Sequence, residues 1–139
     1  MRGRTKRIMV VGAGLLVAVL VAWLIVNPPG TFGYCRFGLT VYGSVPYPAC
    51  DIQVRADGTV RRVAKTHDLR LSAVQWLRQP RPEVLIIATG CQGAVEVGRE
   101  IHDLKNCTVE TLRTREAIER FRELKKHGKK VAIHIHSTC

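Results

Sequence analysis

Apolar residues run without interruption from Ile8 to Val26 (IMVVGAGLLVAVLVAWLIV), with no charged and no strongly polar side chain among them. At about 1.5 Å per residue such a helix reaches roughly 28 Å, close to the hydrocarbon thickness of a bilayer. Asn27-Pro-Pro-Gly-Thr then forms a stiff exit, because Pro28 and Pro29 cannot continue a regular helix. The pattern changes at once to short alternations. Phe37–Tyr42 reads as a strand, Gly43-Ser-Val-Pro-Tyr-Pro as a turn, and Asp51–Ala56 as a strand that alternates polar and apolar residues. Asp57-Gly58 is a preferred two-residue hairpin turn, with Thr59–Val63 as the return strand. A short helix should begin at Leu71, where Ser72 and Gln75 have capping-box spacing, and stop before Pro80.

The second half alternates between β and α periods. Glu83–Thr89 (EVLIIAT) is a nearly continuous β-branched run, as expected of a strand covered on both faces. Gly90-Cys-Gln-Gly93 turns the chain, Val97–Leu104 reads as a short helix, and Thr108–Leu112 as the next strand. Thr114 is placed to cap a helix with the stripe Ala117, Ile118, Phe121 and Leu124, which Gly128 ends. Lys130–His136 is the last strand. The implied fold is α/β: one transmembrane helix, then a single compact domain with a mixed sheet, an N-terminal β-hairpin region and a C-terminal β-α-β-α-β half. The chain divides into a basic flank over 1–7, an anchor over 8–26, a linker over 27–33 and the domain over 34–139.

Composition excludes two classes. A chain of 139 residues with 46% hydrophobic residues and no long polar tract is not disordered. No second apolar run approaches the first, so it is not a multi-span transporter. Charge supplies a direction. Arg2, Arg4, Lys6 and Arg7 precede the span and no Lys or Arg follows it until Arg36, which predicts a cytoplasmic N-terminus and an extracytoplasmic domain. The competing expectation is a signal peptide, leaving a soluble domain after cleavage. The apolar run is longer than an ordinary signal core, and Trp23-Leu-Ile-Val-Asn-Pro-Pro lacks a small-residue cleavage site.

Of the net charge of +11, the domain keeps 18 basic against 11 acidic residues, a surplus of +7. The densest cluster, Leu124-Lys-Lys-His-Gly-Lys-Lys, complements a helix C-terminus and is not interleaved with aromatic residues. An anionic lipid surface suits it better than a nucleic acid.

Candidate chemistry is sparse. His134 and His136 stand two apart on a strand, so both imidazoles project from one face, and with Cys139 they offer a possible zinc set. The ordinary alternative is a pair of half-buried histidines bonded to neighbouring groups. Among the five cysteines there is no C-x-x-C; Cys35 and Cys50 bracket the first hairpin region and are the expected disulfide if the domain is exported. Thr89, Gly90, Cys91 and Gly93 follow a buried strand, where α/β sheets often bind ligands, although a tight structural turn accounts for the same residues. Gly12 and Gly14 lack the third glycine and the later acid of a dinucleotide fingerprint. No cofactor is implied, and no catalytic set can be named.

Several stretches together carry a resemblance. They are Cys35-Arg-Phe-Gly with Tyr42; Asp51-Ile with Asp57-Gly58; Pro82-Glu-Val-Leu-Ile-Ile-Ala-Thr-Gly90; Thr114-Arg-Glu-Ala-Ile118; Gly128-Lys-Lys-Val-Ala; and the closing His136-Ser-Thr-Cys139. In this order they resemble a small α/β domain family of unknown function. It contains archaeal and bacterial single-domain proteins, an adipogenesis-associated human protein and mitochondrial complex I assembly factor three; the closing His-x-Thr-Cys is similar to that of the prokaryotic branch. The resemblance spans about Tyr34 to Cys139. The segment from Val63 to Ser72 is shorter than is usual, Phe121-Arg122 replaces a common Tyr-Asn pair, and the anchor is foreign to the typical member. It implies a mixed sheet with flanking helices and no established catalysis. The expectation is therefore a membrane-anchored interaction or assembly module with a protein partner. The alternative is a small-ligand enzyme or thiol-redox protein using the Gly90–Gly93 loop and the C-terminal His-x-Thr-Cys.

Overall fold

The computed structural model describes residues 2–138, with side chains from Lys6 onward. Helix α1 (Arg2–Val26) opens with Arg2, Arg4, Lys6 and Arg7 and is apolar on every side from Ile8 onward, and none of its span from Lys6 to Val26 is buried against the domain. It is long and apolar enough to cross a membrane, a property that an anchor and a signal sequence share.

A small antiparallel sheet follows, made of β1 (Phe32–Arg36), β2 (Leu39–Tyr42) and β3 (Val45–Pro48) in that order. Two of its strands depart from the expectation. β1 begins inside the segment read as linker, and β3 occupies the segment read as a turn. Pro46 and Pro48 are accommodated because β3 is an edge strand paired only with β2, where a missing N–H breaks no inner ladder.

The main sheet has the order β5-β4-β10-β7-β9. Its strands are β4 (Asp51–Val54), β5 (Val60–Val63), β7 (Val84–Ala88), β9 (Thr108–Leu112) and β10 (Val131–Ile135), and β4–β5 is the hairpin closed at Asp57-Gly58. β10 pairs antiparallel with β4 and parallel with β7, which pairs parallel with β9, so the sheet is mixed. Between these strands lie β6 (Asp68–Leu69), α2 (Leu71–Val74) with a 3-10 turn over Gln75–Arg78, β8 (Glu96–Val97), α3 (Arg99–His102) and α4 (Thr114–Lys126). The helix expected over Val97–Leu104 is thus a single turn preceded by β8, which pairs with β6 in a two-residue parallel ladder.

Every residue of β7 and β10 is buried, as their apolar composition requires. On one face, α4 lays Ala117, Ile118 and Phe121 over Ile86 and Ile133, and Phe121 meets Phe32 edge-on at 5.0 Å between centroids. On the other, Leu85, Ile87 and Ala132 pack under Leu69, Leu77 and Ile101. The flanking residue of α4 is Arg113; Thr114, expected as its cap, directs its hydroxyl elsewhere.

The end of α1 is fastened to the small sheet. Buried Asn27 accepts from the Tyr34 amide at 2.7 Å through its side-chain oxygen, and its carbonyl accepts from the Ser44 hydroxyl. Trp23 Nε1 donates to the Ser44 carbonyl at 3.1 Å. Gly33 permits this approach: a Cβ there would lie 2.7 Å from the Asn27 Cα.

Candidate functional site

The chain leaves β7 through Thr89 and Gly90, where Gly90 has a φ of +95° that suits only glycine. The Thr114 hydroxyl ties three elements together by accepting from the Gly90 amide at 3.1 Å and donating to the His136 carbonyl at 2.8 Å. The Cys91 amide donates to the Thr138 carbonyl at 2.8 Å, and the Thr89 hydroxyl donates to the Leu112 carbonyl at 3.1 Å. The loop from Thr89 to Gly93 therefore meets the C-terminal residues, but the Gly90 and Cys91 amides are already spent within the protein. This is the geometry of a fastened turn, and the exposed Cys91 thiol is what it presents outward.

Beside this turn, a cleft of about 670 Å³ opens between α4 and the small sheet. Arg36, Phe37, Cys91, Arg113, Arg115 and Arg122 are among its walls. Arg122 is committed to the Phe32 and Gly33 carbonyls at 2.8 Å each, pinning β1 to α4, and Arg115 pairs with Glu119 at 3.4 Å. Arg36 and Arg113 have no acidic partner among the described residues. Cys35 also lines the cleft; burial pushes its thiol up from the ordinary value, against smaller opposing effects of a Val41 backbone hydrogen bond and the Arg122 charge.

The sequence expectation paired Cys35 with Cys50. Cys35 and Cys50 are both free, as are Cys91 and Cys107. Cys35 lies on β1 and Cys50 follows β3, with β2 between those strands. The possible zinc set of His134, His136 and Cys139 reaches beyond the described residues. No group of three potential ligands is brought together among the described residues, and Cys139 lies outside them.

The two histidines do share a face of β10, yet each joins its own network. The ladder pairs His134 with Gln53, and its register carried one step past Ile135 sets His136 opposite Asp51. His136 Nδ1 is 2.8 Å from Asp51 Oδ2, and both side chains are completely buried. Asp51 Oδ1 accepts from the Ser137 amide at 3.1 Å, and the Thr138 hydroxyl lies 3.2 Å from His136 Nε2. His67 meets the His136 ring edge-on at 5.0 Å. One rung away, His134 Nδ1 is 3.2 Å from Gln53 Nε2. Burial, with lesser like-charge effects from His136 and Arg61 and an opposing one from Asp51, holds His134 neutral, its pKa lowered to about 4. Sequence reasoning did not find Asp51 or Gln53; the polar positions of the Asp51–Val54 alternation were the available signal.

These features define a mixed α/β domain carried behind an apolar helix. The sequence matches no protein-family profile and no curated protein. Among solved structures, the protein described as MT938 is 33% identical, with a TM-score of 0.65 over 78% of this chain and 98% of its own; the chain belongs to its family. A conserved hypothetical protein, PH1505 from Pyrococcus horikoshii OT3, shares the fold at 22% identity and a TM-score of 0.67, over 78% of this chain and 99% of its own. A protein of Bartonella henselae described as an outer membrane protein shares it at 17% identity and 0.66, over 82% and 98%.

Proposed function

We propose that the chain is a membrane-tethered, non-catalytic interaction module whose cleft holds an acidic segment of a protein partner. The observation that carries this reading is the pairing of Arg36 and Arg113, neither of them in an ion pair among the described residues, with exposed Phe37 on the walls of one cleft, where four arginines outnumber Glu116 and Glu119. Charge attracts and orients the segment, and the aromatic ring supplies apolar contact area. The basic flank and the unburied α1 support an anchored topology with a cytoplasmic N-terminus, and the resemblance to a family of unknown function that includes an assembly factor supports a scaffolding role. The test is a photo-crosslinking residue at Phe37 in the full chain, purified from detergent-solubilised membranes. Crosslinks should fall on Asp- and Glu-rich peptides and be lost on Arg36→Glu with Arg113→Glu while the melting temperature holds. Crosslinks that survive the charge reversal, or a chain recovered shortened in the soluble fraction, would overturn the respective half of the proposal.

One observation favours a second reading, an enzyme using the C-terminal His-x-Thr. Asp51, His136 and Thr138 connect a carboxylate, an imidazole and a half-exposed hydroxyl at 2.8 and 3.2 Å, the order of a relay that activates a nucleophile. Turnover of a p-nitrophenyl ester that disappears in Thr138→Val would support this reading; no turnover by the wild type would remove it.

A further inference from the structure

On the face of the main sheet opposite α4, the orientation of one amide fixes the proton on His134. Arg61 can only donate, and its Nε and Nη2 lie 3.0 and 2.8 Å from Gln53 Oε1. The Gln53 nitrogen must therefore point the other way, where it donates to the Ala73 carbonyl at 2.8 Å and to His134 Nδ1 at 3.2 Å. Since Nδ1 accepts and the ring is neutral, the proton resides on Nε2. That N–H is the one buried side-chain polar atom without a hydrogen-bond partner among the described residues, on a side chain only 1% exposed. A buried donor of this kind is rare, because it has given up water without replacing it.

His134 lines an open groove of about 450 Å³, whose walls also include Arg61, Lys65, Thr66 and Ser72. The acid on its rim, Asp68, is held by Arg70 at 2.8 Å, so its charge is locally balanced. Lys65 has no acidic partner among the described residues, and Arg61 donates to a neutral amide. The groove thus carries uncompensated positive charge around a buried donor. We propose that it is a binding site for the oxyanion of a small ligand, carboxylate or phosphate, in which one oxygen accepts from His134 Nε2–H and Lys65 neutralises the charge. The cation–π stacking of Arg61 on Trp76, 4.4 Å from the ring centroid, and the Ala73 carbonyl bond hold Gln53 and His134 ready without a ligand. This site is independent of the acidic-segment cleft, which lies against α4.

The test uses the full chain in detergent micelles with ¹⁵N-labelled histidine. A long-range ¹H–¹⁵N spectrum should show His134 protonated on Nε2 alone. Sodium acetate and sodium phosphate are then titrated separately, at ionic strength matched with sodium chloride. A saturable shift of the Nε2–H resonance with one of them is expected, with the dissociation constant raised at least tenfold by Lys65→Ala, an exposed position whose replacement leaves the core intact. Response to acetate alone identifies a carboxylate site, and to phosphate alone a phosphoryl site. A proton found on Nδ1, a shift that chloride reproduces, no saturation with either anion, or affinity unchanged in Lys65→Ala would each overturn the proposal.

Discussion

Two cross-strand rungs on one face of the sheet, Asp51 opposite His136 and Gln53 opposite His134, have similar burial and contrasting completeness. In the first, the carboxylate spends one oxygen on the imidazole and the other on the Ser137 amide, and the far ring nitrogen meets the Thr138 hydroxyl. In the second, the amide is equally engaged but the far ring nitrogen has no partner. The difference teaches that the same spacing of histidines on a strand can produce a structural lock and a binding donor side by side. What separates them is the residue opposite and what lies above: a hydroxyl from the chain end in one case, an open groove in the other.

The strongest way to break this contrast is Asp51→Ala. It strands the His136 ring N–H and the Ser137 amide in a dry environment, and stability should fall by about 3 to 5 kcal/mol in chemical denaturation. A loss under 1 kcal/mol would show that the first rung is no lock. The pH dependence of the second rung comes next. Unfolded His134 titrates near 6.5 and the folded ring near 4, so between these values the unfolded state binds more protons. Stability from this residue is complete above about pH 6.5 and is lost as pH falls toward 4. The loss amounts to about 3 kcal/mol in total. The difference between wild type and His134→Leu across pH 4 to 7.5 isolates it, and parallel curves would refute it.

At pH 7.5 the same His134→Leu change should cost no more than about 1 kcal/mol, because it removes one hydrogen bond while Gln53 keeps the Ala73 carbonyl. A cost like that of Asp51→Ala would make the two rungs equivalent. The smallest expected effect is that of Thr138→Val, about 0.5 kcal/mol in melting experiments, since the hydroxyl is half-buried and water can replace it at the ring.

Local pattern carried most of the main sheet. The β-branched run ending at Ala88 and the apolar stripe of α4 are dictated by burial on both faces and on one, and Asp57-Gly58 by backbone freedom in a tight turn. The small sheet was less legible, because Phe32-Gly-Tyr-Cys-Arg and Val-Pro-Tyr-Pro contain residues that signal turns and become strands only through pairing with β2. The site was half legible. That His134 and His136 share a face follows from strand period, but their partners lie 81 and 85 residues away. Register across β4 and β10 creates those pairs, and a single sequence contains no signal of register.

The fastening of Asn27 and Trp23 to the small sheet makes the domain an extension of the helix rather than a body on a string. Where α1 spans a bilayer, the lean of the helix becomes the lean of the domain, and a helix leans to match the thickness of the lipid around it. The outward aim of the cleft is then set by the composition of the membrane. The same chain would offer Arg36 and Phe37 at one height in a thin bilayer and at another in a thick one, a coupling that a slack connection of equal length would erase.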